Sequence, residues 1–130
     1  MDRGESRLPE PVLSDLPILD PLPLHDLLEL GGSAELIHEL IALFQEDVPM
    51  RLGVLKTALS ASDVSQAMME AHQLKGALSN LGLARFADLA SQIESHAREG
   101  RLDQAFRLAE GLPASYEEAL HALNMAYPRI

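Results

Sequence analysis

Between residues 36 and 81, apolar side chains recur at spacings of three and four residues, which is the period of an amphipathic α-helix. One run occupies positions 36, 37, 40, 41, 44, 48, 52, 55 and 59, and a second occupies 64, 67, 71, 74, 78 and 81. Ser33 is suited to cap the first run, and Asp63 with Gln66 fits a capping box before the second. The pattern therefore predicts two long helices, the second of which ends at Gly82 as a C-cap glycine.

Three further segments carry the same helical pattern. A short helix is expected at residues 24–30, a longer one at about 84–99 and a last one at about 102–125. Gly111 and Pro113 lie inside the last segment, where both residues weaken a helix. We therefore expect the last helix to kink or to split at that point.

Four amphipathic helices with short connections predict an all-α fold, an antiparallel four-helix bundle with a short extra N-terminal helix, over residues 24–126. Pro49 interrupts the first long helix, but the apolar register continues beyond it, so a kink near residues 45–49 is expected rather than a break. Residues 1–23 are expected to form a proline-rich tail or linker, because prolines at this density oppose a helix. They hold five of the eight prolines, at positions 9, 11, 17, 21 and 23.

Composition and charge narrow the function classes. The chain has 130 residues, no cysteine and only 4% aromatic residues, so one small aliphatic core is expected. The net charge is −10, without a basic face, which argues against a nucleic-acid partner. No apolar run reaches the roughly 18–20 residues of a membrane span, and the N-terminus lacks the apolar core of a signal peptide. We expect a cytoplasmic monomer without a membrane partner, because four helices would close the core.

Gly76 is an energetically unfavourable residue inside the second long helix, so its presence there requires an explanation. Gly76 costs roughly 0.5–1 kcal/mol relative to alanine inside a helix. It lies one turn after His72, which a helical wheel places about 130° from the centre of the apolar stripe, towards water. A side chain at 76 would lean over the turn that carries His72, so glycine leaves space beside the imidazole. Lys75 adds a positive charge nearby, and the other neighbours one turn away are Met68, Met69 and Ser79.

The stretch Ala71-His72-Gln73-Leu74-Lys75-Gly76, followed by Asn80-Leu81-Gly82 and later by Leu89 and Glu94, resembles the signature of the histidine-containing phosphotransfer (HPt) domain family. The stretch 43–59, LFQEDVPMRLGVLKTAL, is similar to the helix that precedes this signature in the family. The resemblance covers roughly residues 24–123.

The resemblance implies a phosphorelay carrier rather than a self-sufficient catalyst. His72 would accept a phosphoryl group from the aspartyl phosphate of a receiver domain and pass it to another receiver. Lys75 would support the charge, and Gly76 would give access. Met68, Met69 and Ser79 are expected to contact the partner, although core or rim packing explains Met68 equally well. The implied partners are response-regulator receiver domains, a hybrid histidine kinase, or both. No cofactor or metal of its own is expected, because Mg²⁺ would come from the acidic pocket of the receiver.

Two other functions compete with this interpretation. The chain would be a helical adaptor without phosphoryl transfer if His72 were an incidental surface residue, and phosphate on His72 would distinguish the two. A dimerising kinase-type phosphotransferase would need a nucleotide-binding domain or a strong dimer seam, neither of which is evident.

The sequence also contains two Glu-x-x-His pairs, Glu35/His38 and Glu118/His121, which resemble half of a di-iron bundle site. The helical wheel places both pairs on the water side, which argues against a shared metal. His25 and His96 have no evident partner. Glu70, Glu94 and Glu99 are interpreted as solvated charges at a helix face or end, although Glu94 matches a family position.

Overall fold

The computed structural model describes residues 15–129, and every element within that range is an α-helix. The six helices are α1 (Leu22–Glu29), α2 (Ala34–Ser60), α3 (Val64–Asn80), α4 (Ala84–Arg98), α5 (Leu102–Ala109) and α6 (Leu112–Ala126). Helices α2, α3 and α4 form three members of a four-helix bundle, and α5 with α6 forms the fourth. The predicted all-α fold, a four-helix bundle with a short extra N-terminal helix, is confirmed.

The core is aliphatic, as the composition predicted. Helix α3 contributes Ala67, Ala71, Leu74 and Leu78, all of which are buried and lie at the predicted inward positions. Because two of these four side chains are alanines, the backbones of neighbouring helices can approach α3 closely. One aromatic pair joins α2 to α6, since the rings of Phe44 and Tyr116 stack with centroids 5.1 Å apart. No helix in the described part of the chain is long and apolar enough to cross a membrane.

Helix α2 begins at the predicted cap and passes through its proline. The Ser33 hydroxyl accepts a hydrogen bond from the Leu36 amide at 3.1 Å. The helix then runs for 27 residues without interruption, although Pro49 has no N–H to donate to the preceding turn. The expectation that α2 continues beyond Pro49 is therefore confirmed.

Helix α3 begins with half of the predicted capping box. The Asp63 carboxylate accepts a hydrogen bond from the Gln66 amide at 3.1 Å. The Gln66 side chain does not reach back to Asp63, because it donates to Glu70 at 3.0 Å instead. The Asp63 amide is satisfied by the Ala58 carbonyl at 2.9 Å, so the reciprocal half of the box is not needed.

Gly82 ends α3 and also receives the N-terminal segment. The Leu83 amide donates to the Leu78 carbonyl at 3.0 Å, and Gly82 has φ +81°, which is the geometry of a glycine-terminated helix. The Asp20 amide then donates to the Gly82 carbonyl at 2.7 Å, and the Arg85 amide donates to Pro17 at 3.0 Å. Two backbone hydrogen bonds therefore attach residues 17–20 to the turn between α3 and α4.

The last residues of the expected tail, 1–23, lie in α1 or contact the region between α3 and α4. Helix α1 begins at Leu22, two residues earlier than predicted, with Pro23 in its first turn. Proline is tolerated there because the first N–H groups of a helix have no partner within the helix. Residues 1–14 of the expected tail lie outside the described range, and the boundary between tail and bundle stays a prediction.

The last helical segment splits rather than kinks. Helix α5 ends at Ala109, and α6 begins at Leu112, with Gly111 at its N-cap and Pro113 in its first turn. The proline has no N–H to continue the hydrogen bonds of α5, but it fits the start of a new helix. Of the two predicted outcomes, the structure contains the split.

Candidate functional site

His72 lies on the solvent side of α3, as the helical wheel predicted, with a side chain that is 67% exposed. Its imidazole is nevertheless held on one edge. The ring Nδ1 lies 3.2 Å from Oε2 of Glu94, which extends from α4. The site is therefore formed across the seam between α3 and α4, and an element outside the sequence neighbourhood of His72 positions the ring.

The prediction that Glu94 is a solvated charge is wrong. Its side chain is only 9% exposed, and the same oxygen that faces His72 accepts a hydrogen bond from Nη2 of Arg98 at 2.6 Å. The burial follows from its position in α4, one residue after the buried Ile93 and three before the buried Ala97. A carboxylate on the apolar face of a helix usually needs partners, so this position was the available signal in the sequence.

The contact with Glu94 distinguishes the two ring nitrogens of His72. A carboxylate only accepts hydrogen bonds, so the proton between the two groups resides on Nδ1 of His72. In the neutral ring the other nitrogen, Nε2, then carries the lone pair. Nδ1 faces the buried Glu94, whereas the His72 side chain as a whole is mostly exposed. We therefore infer that Nε2 faces the solvent. The arrangement presents one oriented nucleophilic nitrogen at the surface of the bundle.

Gly76 is exposed one turn after His72, and packing does not require it. A Cβ atom built at Gly76 would meet nothing within 4 Å. Open space at this position agrees with the predicted role in access, which stays a prediction. Lys75 is half-buried on the same helix, next to Gly76.

The three residues predicted to contact a partner differ in exposure. Met69 and Ser79 are exposed on α3, whereas Met68 is half-buried and packs against the core. Core packing therefore accounts for at least part of the role of Met68. Met69 is 48% exposed, which leaves it accessible to a partner, as are several other large apolar side chains of the described residues.

A network on the α2 side of α3 was not predicted. The Arg51 guanidinium donates to Asp47 at 2.6 Å and to the Gln73 side chain, adjacent to His72 in sequence, at 3.3 Å. The hydrogen bond to Asp47 raises the pKa of Arg51 above its ordinary value, against the opposing effect of desolvation. Arg51 also lies 3.9 Å from Glu70, whose side chain is only 13% exposed, so Glu70 is not a freely solvated charge either.

The Glu-x-x-His pairs do not come together. Glu35, Glu118 and His121 are exposed, whereas His38 is half-buried with Nε2 3.2 Å from the Tyr127 carbonyl, which corrects its predicted water-facing position. Within residues 15–129, no three His, Cys, Asp or Glu side chains are grouped so that they could hold a metal ion.

The other two histidines have partners that the sequence did not indicate. His25 lies 3.6 Å from Glu29, one turn along α1. His96 accepts a hydrogen bond on Nδ1 from the Arg101 guanidinium at 2.9 Å. His72 is therefore distinguished by its buried carboxylate partner and by the open space at Gly76.

Comparison with known proteins agrees with this site. The family model of the Hpt domain matches residues 39–123, a range that contains His72, Gly76 and Glu94. The chain therefore belongs to the Hpt domain family, and it is a histidine phosphotransfer carrier of the kind used in phosphorelays.

Individual relatives support the same assignment. The crystal structure of histidine-containing phosphotransfer protein B (HptB) from Pseudomonas aeruginosa PAO1 superposes with a TM-score of 0.72 and 28% identity, over 88% of this chain and 97% of that one. The aerobic respiration control sensor protein ArcB of Escherichia coli K12 is 36% identical over 78 residues, which is 60% of this chain. ArcB of Shigella flexneri matches equally well. The matched segment spans only about a tenth of the length of these sensor proteins, 10% in each.

Proposed function

We propose that Nε2 of His72 accepts a phosphoryl group from the aspartyl phosphate of a receiver domain and passes it to the aspartate of another receiver. In the forward step Nε2 attacks phosphorus, the P–O bond to the aspartyl group breaks, and the aspartate leaves as a carboxylate. The return step is the reverse: an aspartate oxygen attacks phosphorus, and the Nε2–P bond breaks. Both steps conserve the proton on Nδ1.

The contact between Glu94 and His72 is the observation that carries this proposal. When Nε2 shares its lone pair with phosphorus, positive charge develops on a ring that keeps its Nδ1 proton. The Glu94 carboxylate, 3.2 Å from Nδ1, stabilises that charge. The same protonated ring is a good leaving group in the return step, so a single contact assists transfer in both directions. We assign Glu94 as a positioning residue.

Two cationic side chains, Arg98 and Lys75, are proposed to balance charge around this ring. Arg98 neutralises Glu94 at 2.6 Å, which limits repulsion between that carboxylate and an incoming phosphoryl group. Lys75, on the same helix as His72, is proposed to approach the phosphoryl oxygens, whereas Arg51 on α2 is paired with Asp47 and Glu70. Phosphoryl transfer through a loose transition state depends mainly on such positioning and charge.

The remaining chemistry is assigned to the partner. We propose that Mg²⁺ and the reacting aspartate come from the receiver, so that this domain acts as a carrier and not as a self-sufficient catalyst. Receiver domains, hybrid histidine kinases or both are the proposed partners, and Met69 and Ser79 lie on the exposed surface that such a partner would meet. The similarity of this chain to part of a sensor protein supports a role in sensory signalling. A cytoplasmic location stays a prediction.

Label transfer tests the proposal. The protein and two variants, His72→Gln and His121→Gln, would be incubated with a panel of receiver domains that carry radioactive aspartyl phosphate. Both substitutions replace an exposed histidine, so both variants should remain folded. We expect acid-labile, base-stable label on the protein and on His121→Gln, and none on His72→Gln. Equal label on His72→Gln, or no label on any form from any receiver, would favour the adaptor instead.

A further inference from the structure

A second concave surface lies between α2 and the broken fourth helix. It contains a cavity of about 760 Å³, lined by α2 from Pro49 to Lys56 and by α5 and α6 from Phe106 to Glu117. An adjoining cavity of about 520 Å³ extends towards Ser60, and the two share Phe106 and Glu110 as walls. Together they form one groove, here called the α2–α5/α6 groove, in which no lining residue belongs to α3 or α4.

The groove has the length and the floor of a helix-binding site. From Pro49 to Ser60 it follows α2 over 12 residues, or about 17 Å at the rise of an α-helix. The floor of the larger cavity is apolar and partly accessible, with Leu52, Phe106 and Tyr116 half-buried, whereas the cavity towards Ser60 is lined mainly by polar side chains. Apolar grooves of this kind bind amphipathic helices through side chains spaced three and four residues apart.

Gly53 gives a second, independent reason to expect an occupant. It lies in the middle of α2, where glycine costs about 1 kcal/mol relative to alanine. A Cβ atom at Gly53 would meet nothing within 4 Å, so packing inside the chain does not require the glycine. Because Gly53 lines the groove, the absence of a side chain at this position leaves space for a helix to bind.

The charges of the groove indicate what kind of helix would fit. The wall formed by α5 and α6 carries three carboxylates and one guanidinium, at Asp103, Glu110, Glu117 and Arg107, whereas the α2 wall carries only Lys56. None of these five groups makes an ion pair with another residue in the described part of the chain. The acidic wall is therefore available to basic side chains. A second copy of this chain would bring a net charge of −10 to that wall and is disfavoured.

We propose that the α2–α5/α6 groove binds an amphipathic helix of another protein, with its apolar face on Leu52, Phe106 and Tyr116 and basic residues against Glu110 and Glu117. The groove shares no residue with the His72 site, so a helix bound there leaves His72 and Glu94 uncovered. A partner tethered in this way would raise the local concentration of whatever domain accompanies its helix. The proposal does not depend on phosphorylation of His72.

A basic peptide probe tests the groove. The probe is a fluorescein-labelled peptide of about 18 residues, or five turns, with leucines on one face and lysines on the other. Its controls are a scrambled peptide of the same composition and a leucine–glutamate peptide. Fluorescence anisotropy should show binding of the leucine–lysine helix with a Kd of about 10 μM or tighter and much weaker binding of both controls.

Variants of the protein locate the binding. Gly53→Gln fills the groove and Glu110→Lys/Glu117→Lys reverses its acidic wall; each should weaken binding at least about tenfold, which corresponds to about 1.4 kcal/mol. The matched control Asp26→Lys/Glu39→Lys makes the same change in net charge on exposed residues outside the groove and should retain most of the affinity.

Three outcomes would overturn the proposal. The first is no binding of the leucine–lysine helix, and the second is equal loss of affinity in the groove variants and in the charge-matched control, which would mean non-specific attraction. The third is concentration-dependent self-association of the protein that Gly53→Gln abolishes, which would identify a second copy as the occupant. Amide NMR shifts upon peptide addition should centre on α2, α5 and α6, and shifts centred on α3 would also contradict the assignment.

Discussion

At the scale of single residues, the buried carboxylate of Glu94 decides how His72 is presented. Its Oε2 lies 3.2 Å from the imidazole Nδ1 and 2.6 Å from Nη2 of Arg98, so one buried oxygen connects a ring and a guanidinium that both extend to solvent. The oxygen is fixed because α4 buries the side chain that carries it. The orientation of the ring therefore depends on the packing between α3 and α4.

Replacing Glu94 should change the tautomer of His72 as well as its reactivity. Glu94→Ala removes the acceptor, so the ring should populate both neutral tautomers and lose phosphoryl acceptance by at least about tenfold, or about 1.4 kcal/mol of barrier. Glu94→Gln retains an acceptor oxygen without the charge. Its rate of phosphoryl acceptance should lie between that of the unmodified protein and that of Glu94→Ala. Nitrogen-15 NMR of the His72 ring reports the tautomer, and label transfer reports the rate. An unchanged tautomer in Glu94→Ala would show that Glu94 does not position the ring.

Substitutions at Gly76 should affect the stability of the protein and its rate of phosphoryl transfer differently. Gly76→Ala should raise the free energy of unfolding by up to about 1 kcal/mol, because the helix gains propensity and a Cβ atom meets nothing within 4 Å. Gly76→Gln should melt no lower than the unmodified protein, yet accept phosphoryl groups at least about tenfold more slowly, because the longer side chain leans over the turn of His72. Thermal melting and label transfer measure the two effects. Unfolding of Gly76→Gln, with unchanged rates in the alanine variant, would mean that the glycine serves packing.

At the scale of helices and turns, the turn between α3 and α4 joins three parts of the chain. It ends α3 at Gly82, begins α4 and accepts the backbone of the N-terminal segment through Asp20, whose amide lies 2.7 Å from the Gly82 carbonyl. The two helices that carry His72 and Glu94 both meet here. The turn therefore contributes to the relative placement of those two side chains.

Gly82→Ala should destabilise the protein, in contrast to Gly76→Ala. The left-handed φ of +81° costs an alanine about 1–2 kcal/mol, and its Cβ atom would overlap the Asp20 carbonyl. The free energy of unfolding in urea should fall by at least about 1 kcal/mol, whereas the same substitution at Gly76 should leave it unchanged or higher. If both alanine variants had equal stability, the contacts of the N-terminal segment with this turn would not matter in solution.

The sequence was sufficient to predict features set by local periodicity. The order of the helices, the buried stripe of α3 and the exposed position of His72 all follow from spacing along one helix. The burial of Glu94 and its contact with His72 depend on the rotation of α4 against α3, which the period of one helix does not determine. The attachment of residues 17–20 to Gly82 was missed for the same reason, because backbone hydrogen bonds between distant segments leave no pattern in side chains.

At the scale of the whole molecule, two separate surfaces lie on different helices. The His72 site occupies α3 and α4, and the α2–α5/α6 groove occupies the remaining helices of the bundle. The chain has a net charge of −10, and the two arginines nearest the His72 site are paired with carboxylates, Arg51 with Asp47 and Glu70 and Arg98 with Glu94.

We predict that the protein is a monomer in solution. The four helices bury a continuous core, and a mutual approach of two chains with a charge of −10 is electrostatically unfavourable. Light scattering during gel filtration should give the mass of one chain, 14.2 kDa, at all micromolar concentrations tested. A dimer that does not dissociate on dilution would contradict this prediction and would revive the kinase-type alternative.

The central claim is that Glu94 presents Nε2 of His72 as the nucleophile, and the position of the phosphorus atom tests it most directly. The protein would be phosphorylated with a labelled receiver or with phosphoramidate, a small-molecule phosphoryl donor, and examined by NMR with nitrogen-15 histidine. We predict one phosphohistidine, in which phosphorus couples to Nε2 of His72 while Nδ1 retains its proton beside Glu94. Phosphorus on Nδ1 of His72, or on another histidine, would contradict the account.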